Sequence, residues 1–367
     1  MRIGLETSAL AVDLGGTAAY VTNLLEGLAR QGRGHELTTF SFETRARARR
    51  NLARRLETLD REFLWAQVAL PLAARRRGLS VLHLTGAAMP IWSDCPRVVT
   101  VHDVGPFRHR AFFTPWMTAY ARVVQAPAIR RAASVITVSR FAASDLTRTL
   151  GIPESRITVV YQGVSERFFN SPPAAGLSDV RDRLRLERPF ILHVGVLSPR
   201  KNLARLMDAY WRLRQAGLID HQLVLVGSRG WRDDEVLQLA AQLDPTGREI
   251  RLIGHVPDAD LPALYRSADL FVYPSLYEGF GMPPLEAMAC GTPVIASDRA
   301  AIPEVLGDAA LLVDPTDRAA LAEGIRRALT CTALRRELAE RGRERAASYT
   351  WERTVRRTLE VYARVAR

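Results

Sequence analysis

The sequence predicts an α/β protein built from two doubly wound domains that face each other across an interdomain cleft. Three observations predict it. The chain has 367 residues, enough for two domains and a large core. Short apolar runs alternate with longer amphipathic stretches in two successive series, the alternation that gives parallel sheets covered by helices. Between the series, residues 162–178 carry Gly163, Pro172, Pro173 and Gly176 without a regular period, which reads as a linker. The domains expected are 1–165 and 166–349, followed by a C-terminal helix over 350–367.

The first series opens with a strand over 2–7 and a loop containing Gly15, Gly16 and Thr17. An amphipathic helix follows from about residue 18 to 30. This is strand, glycine loop and helix, as in nucleotide-binding α/β folds, but without the G-x-G-x-x-G spacing of a dinucleotide site. Residues 45–77 are basic and helical in pattern: Arg45, Arg47, Arg49, Arg50, Arg54, Arg55 and Arg61 are followed by FLWAQVALPLAARRR. Two readings are open here. One is a solvated face leading into a core helix. The other is an interfacial segment, with arginines at lipid phosphates and Phe63, Leu64 and Trp65 at the boundary.

Strands are expected over 80–84 and 97–101. The second runs into His102 and Asp103 at a carboxyl edge, where α/β folds place ligands. The aromatic and basic stretch 107–120 reads either as the lining of an acceptor or lipid groove or as a helix on the sheet. A strand over 134–139, a helix capped by Ser139 and a strand over 157–160 end the series. In the second series strands are expected over 190–194, 222–226, 249–253, 269–273 and 293–296. The tail carries helices over about 318–329, 334–347 and 351–365.

Composition narrows the class. No apolar run has membrane-spanning length, and the start shows no secretory pattern. Cys95, Cys290 and Cys331 have no metal-ligand spacing and form no disulfide framework, which points to a reducing cytoplasm. The formal net charge is +12, and residues 1–170 carry 23 of the 51 basic groups but only 13 of the 39 acids, hence +10 of that total. A basic N-terminal half suggests an anionic partner. With no helix-turn-helix, zinc or RNA-recognition signature, an anionic membrane surface is preferred over nucleic acid.

Two stretches carry chemistry. Residues 274–289, PSLYEGFGMPPLEAMA, follow an apolar strand and precede a helix marked by Pro283 and Pro284. Between lie Glu278, Gly279, Phe280 and Gly281, whose free amides at a helix start make an anion site. Glu286 is expected in the first helical turn, facing the same mouth as Glu278. The second stretch is Ser198-Pro199-Arg200-Lys201-Asn202, after the first strand of the second series. Lys201 is the only lysine in the chain. A cation near a helix start opposes the helix dipole, and a bound diphosphate reverses that sign.

Glu278, seven residues, then Glu286, in the setting PSLYEGFGMPPLEAMACGTPVIAS, closely resembles the donor-site signature of retaining glycosyltransferases of family 4, with the GT-B fold of two Rossmann-like domains. The resemblance extends over nearly the whole chain and is strongest over 190–315. It implies a nucleotide-sugar donor, with Arg200 and Lys201 on its pyrophosphate and the Gly254, His255 and Val256 backbone at its base. Glu286 would bind ribose hydroxyls, and Glu278 the sugar. The resemblance also implies that Gly15 and Gly16 lie near the acceptor and that His102 and Asp103 lie near sugar and acceptor. The final helix is implied to cross back to the first domain. The chain departs from many relatives at Val196, where they carry Arg.

The mechanism so implied is retention without a metal or other cofactor, and no Asp-rich metal motif appears in the sequence. Arg200, Lys201 and the loop amides stabilise charge on the leaving diphosphate. The acceptor, a saccharide or lipid-linked saccharide in envelope polysaccharide or glycolipid synthesis, attacks from the face the diphosphate leaves. The signature looks most like mannosyl- and rhamnosyl-type members, which points to GDP-mannose, with dTDP-rhamnose and UDP-hexose as alternatives. A nucleotide-sugar epimerase or phosphorylase on the same double fold, and a non-enzymatic sugar-binding protein, are the competing classes. The expected location is the cytoplasm, peripheral to the inner face of the membrane.

Overall fold

The computed structural model describes residues 1–11, 15–32, 34–42, 60–86, 88–170 and 174–366. The chain forms two compact units. One comprises Met1–Gly163 together with Thr350–Arg367, and the other Val164–Tyr349.

The first unit holds a parallel six-stranded sheet: β1 (Arg2–Glu6), β2 (Glu36–Phe40), β3 (Val81–Leu84), β4 (Arg97–Val101), β5 (Ser134–Thr137) and β6 (Ile157–Val159), in the order β2-β1-β3-β4-β5-β6. Its central strands are near-continuous apolar runs because successive side chains enter cores on opposite faces. Val81, Val98 and Ile136 join Ile3 and Leu5 in one core, while Leu82, Val99 and Val135 enter the other. The helix Gly16–Gln31 and the last helix, Trp351–Val365, cover the first face. Gly27 is needed at their contact, since a Cβ there would lie 2.4 Å from Val355 Cγ2. The Tyr362 hydroxyl reaches into the sheet and is hydrogen-bonded to His83 Nδ1, 2.6 Å away.

The second unit repeats the plan with β7 (Phe190–Val194), β8 (Gln222–Val226), β9 (Ile250–Gly254), β10 (Leu270–Tyr273), β11 (Val294–Ser297) and β12 (Leu311–Val313), all parallel, in the order β12-β11-β10-β7-β8-β9. The order reverses between β7 and β10. In open α/β sheets the crevice beyond the carboxyl ends of two such strands is where ligands bind.

Several expectations need correction. β2 and β12 were absent from the expected strands. β2 is a half-exposed edge strand with two threonines and no apolar run, and β12 has only three residues. A short helix, Ser8–Ala11, occupies part of the expected loop before Gly15. The linker region contains the start of a helix, Ala174–Leu184. Residues 107–120 are broken into Gly105–Arg108, a turn at Arg110–Phe112 and Pro115–Tyr120. The last of these is capped by Thr114, whose hydroxyl accepts from the Met117 amide at 3.2 Å. Arg45, Arg47, Arg49, Arg50, Arg54 and Arg55 lie outside the described residues. In the helical stretch that follows, Asp60–Ala69, Phe63 and Leu64 are exposed. No helix among the described residues is long and apolar enough to cross a membrane. The three cysteines are free thiols.

Candidate functional site

The reversal point between β7 and β10 carries a compact ionic cluster. After β7 the chain makes one 3₁₀ turn, Pro199–Lys201, and Asn202 adopts a left-handed conformation at the start of the helix Leu203–Gln215. The Asn202 amide ties this turn to two distant loops, donating to the carbonyls of Pro274 at 3.1 Å and Pro315 at 2.7 Å. The turn is held so that Arg200 and Lys201 both reach the loop after β10.

There the Glu278 carboxylate accepts from Arg200 Nη1 at 2.6 Å on one oxygen and from Lys201 Nζ at 2.7 Å on the other. The Tyr273 hydroxyl donates to the same carboxylate at 3.0 Å and is itself in contact with Lys201 Nζ, which lies 4.5 Å from the Tyr273 ring centroid. Lys201 and Glu278 are both buried. Burial raises the Glu278 pKa, but the charges of Arg200 and Lys201 outweigh it and hold the group at about 2. Glu278 is therefore ionised at neutral pH, and the three groups together leave one net positive charge.

Two residues differ from their expected settings. Lys201 was read as a cation near a helix start, opposed by the dipole unless a diphosphate is bound. It is instead buried beside a carboxylate. Gly195 makes the room, since a Cβ there would sit 3.2 Å from Lys201 Cε. Glu286 was expected in the first helical turn. The helix runs Met282–Ala289 with Gly281 as its cap, so Glu286 falls in the second turn. It is held by the Tyr265 hydroxyl at 2.9 Å, and burial raises its pKa to about 7 against the pull of that hydrogen bond and of Arg167.

Gly281 has φ 104°, a left-handed conformation that favours glycine, and a Cβ there would lie 2.6 Å from Ile302 Cδ1. No side chain caps the helix that follows. The Phe280 side chain is core, packed edge-on against Tyr349 at 5.7 Å, so only its backbone is available to a ligand. At the end of β9, Gly254 has φ 79°, His255 is exposed and Val256 is buried.

In the first unit, His102 follows β4. The Gln162 amide donates to its Nδ1 at 3.1 Å, which leaves the proton on Nε2. That Nε2 is buried and has no side-chain partner among the described residues, and the Thr85 backbone is the polar group beside the ring. Burial lowers the His102 pKa, and the Asp103 charge opposes the shift. Asp103 itself accepts from the Gly105 amide at 2.8 Å. Gly15 has φ 49° and, like Gly16, is exposed at the start of its helix.

Sequence reasoning missed His193, Tyr273 and Glu6. His193 stacks on Tyr273 with centroids 5.6 Å apart, and its Nδ1 donates to the Val272 carbonyl at 2.9 Å. Burial lowers its pKa to about 4, so it is neutral beside Lys201. Glu6, at the end of β1, is fully buried and accepts from the Ser8 amide at 2.7 Å. Tyr273 was detectable as the last residue of a strand facing the reversal point. Isolated in apolar strands, His193 and Glu6 gave no local signal.

Comparison with known proteins bears on this arrangement. Residues 14–168 match the family described as Glycosyltransferase Family 4, and residues 179–345 the one described as Glycosyl transferases group 1. An Escherichia coli O-antigen chain mannosyltransferase B is 36% identical over 265 residues, 72% of this chain and 69% of that protein. The chain belongs to glycosyltransferase family 4. A Mycolicibacterium hassiacum MMP alpha-(1->4)-mannosyltransferase is 31% identical to this glycosyltransferase over 334 residues, 82% of this chain and 75% of the relative. A sucrose-phosphate synthase structure from Thermosynechococcus elongatus shares the GT-B fold, with a TM-score of 0.75 at 23% identity, covering 99% of this chain and 98% of its own.

Proposed function

We propose that this glycosyltransferase moves mannose from GDP-mannose to a saccharide or lipid-linked acceptor in cell-envelope polysaccharide synthesis, with retention at the anomeric carbon and without a metal or cofactor. The observation that carries the reading is the Glu278 carboxylate held between Arg200 and Lys201 at the reversal point of the second sheet. The names of the mannosyltransferase relatives support the sugar and the pathway class.

Arg200, Lys201 and the Gly279–Gly281 amides receive the diphosphate, and their positive charge stabilises the charge that grows as the sugar leaves. Glu278 keeps both cations aimed before the donor arrives, so little reorganisation is needed during reaction, and it contacts the sugar. Glu286 accepts from ribose hydroxyls, and the backbone at Gly254, His255 and Val256 meets the base. His102 offers its Nε2 proton to an oxygen of the sugar or acceptor, with Asp103, Gly15 and Gly16 beside the acceptor. The acceptor hydroxyl attacks on the face the diphosphate leaves, and the diphosphate takes its proton. An anionic membrane surface is part of the proposal, through the basic N-terminal half and the exposed Phe63 and Leu64.

A thermal-shift screen against GDP-, UDP-, ADP- and dTDP-sugars tests the donor, and NMR of the product tests the stereochemistry. GDP-mannose is expected to give the largest shift and an α-mannoside. A preference for UDP-glucose overturns the donor, a β-product overturns retention, and loss of turnover in EDTA overturns metal independence.

A further inference from the structure

We propose that the first unit carries a separate binding site for a phosphate group. The site is a pocket of about 320 Å³ lined by Arg140, Val159, Val160, Tyr161, Arg353 and Arg357. All six belong to the first unit, whereas Arg200, Lys201 and Glu278 belong to the second. The proposal therefore stands or falls independently of the donor reading.

Three guanidinium groups line this pocket and no carboxylate does. Arg357 pairs with Glu360 at 2.8 Å, but both are half exposed, and such a surface pair is weak and exchangeable. Arg353 makes no ion pair or side-chain hydrogen bond among the described residues. Arg140 Nε donates to the Tyr161 hydroxyl at 3.0 Å, which fixes the plane of its guanidinium. The planar forks of arginine match the oxygens of phosphate in pairs.

The backbone adds to the field. Arg140 is the first residue of the helix Arg140–Leu150, and Arg353 is the third residue of Trp351–Val365. The pocket thus lies beside the first turns of two full helices, whose positive ends favour an anion. Val159 and Val160, at the carboxyl end of β6, give it an apolar wall. A phosphate attached to an uncharged body suits this lining. Two sources share that chemistry: a soluble phosphorylated ligand and a phospholipid headgroup.

Hydrogen–deuterium exchange on the full chain tests the site and separates the sources. Wild-type protein is exposed to inorganic pyrophosphate in one arm and to phosphatidylglycerol vesicles in the other. Exchange over 139–146 and 350–358 is expected to slow by about threefold or more with at least one probe. Slowing with pyrophosphate identifies a soluble ligand, and slowing with vesicles alone identifies a headgroup. The Arg353→Ala/Arg357→Ala variant is expected to lose this protection while keeping the wild-type, probe-free exchange protection over 190–194 and 222–226, which reports an intact second unit. If the double variant fails to fold, Arg353→Gln alone serves, because Arg353 holds no partner in place. No change over these segments with either probe, or the same change in a folded variant, overturns the proposal.

Discussion

Lys201 Nζ lies 2.7 Å from Glu278 Oε1, across 77 residues of sequence, and both side chains are buried. This pairing reverses what the local sequence suggests for Lys201. A cation near a helix start alone would be slightly unfavourable, and its removal neutral or stabilising. Removing Lys201 from the folded protein instead leaves a buried carboxylate with only Arg200 and Tyr273. Breaking one side of a buried pair costs about 3–5 kcal/mol. Lys201→Ala is therefore expected to lower the melting temperature clearly and to shrink the donor-induced rise. Lys201→Arg should keep the fold but lose much of kcat, because a broad fork replaces a compact ammonium in a space bounded by Gly195 and Tyr273. An unchanged melting temperature in Lys201→Ala would refute the pairing.

Glu278 sets an acid limit on stability. Its folded pKa of about 2 lies below the ordinary carboxyl value of 4.5. The contribution is present above the unfolded value and is lost as pH falls from about 4.5 towards 2, by the order of a few kcal/mol. Urea unfolding of wild type and Glu278→Gln between pH 7 and pH 3 measures it. The gap between the two should narrow as pH falls. A constant gap contradicts the charge state assigned to Glu278.

Glu286 behaves oppositely. Its folded pKa, raised to about 7, means that the folded protein holds a proton the unfolded chain has lost. Its contribution to stability falls as pH rises from about 4.5 to about 7. A donor hydroxyl bonding to the carboxylate pulls the pKa back down, so donor binding at pH 7 should release up to about half a proton. Calorimetry in HEPES and in Tris reads this as a buffer-dependent enthalpy, which Glu286→Gln should remove. Buffer-independent binding by the wild type would exclude contact between Glu286 and the donor.

Gly281→Ala should be severe for two separable reasons. The left-handed backbone costs about 1 kcal/mol or more with any side chain, and the new Cβ meets Ile302 Cδ1 at 2.6 Å. Gly151 also has positive φ, 68°, but nothing lies within 4 Å of an added Cβ. Gly151→Ala therefore reports the backbone cost alone. Gly281→Ala should lose more stability than this control and should also lose kcat, since the turn carries the amides assigned to the diphosphate. Equal losses in the two variants would show that the Ile302 contact relaxes freely.

The membrane proposal rests on charge and on two exposed apolar side chains. Flotation with anionic vesicles at low salt is expected to carry the protein, and raised salt should release it. Phe63→Ser/Leu64→Ser should weaken flotation without changing donor binding, because both side chains are already exposed. Protein that stays unbound at low salt points to a soluble acceptor.

The sequence by itself determined the two α/β series, because parallel strands buried on both faces must be apolar runs such as 190–194 and 222–226. It also marked the functional loops, because function sits just beyond strand ends and there glycines, prolines and isolated charges interrupt the pattern. Glu278, Gly281 and Lys201 were legible for that reason. The edge strand β2 was not, since Glu36–Phe40 takes its place from pairing with β1 rather than from its own periodicity. Nor was the start of the helix bearing Glu286, which Gly281 fixes through a backbone conformation and not through a residue pattern. Above all, only the tertiary structure decided the electrostatics. The strand order puts β10 beside β7, which brings Glu278 onto Arg200 and Lys201 and sets Tyr273 and His193 around them. Whether a carboxylate is ionised, or a lysine is unfavourable where it stands, depends on neighbours some seventy residues away, and a local reading of the chain contains no such neighbours.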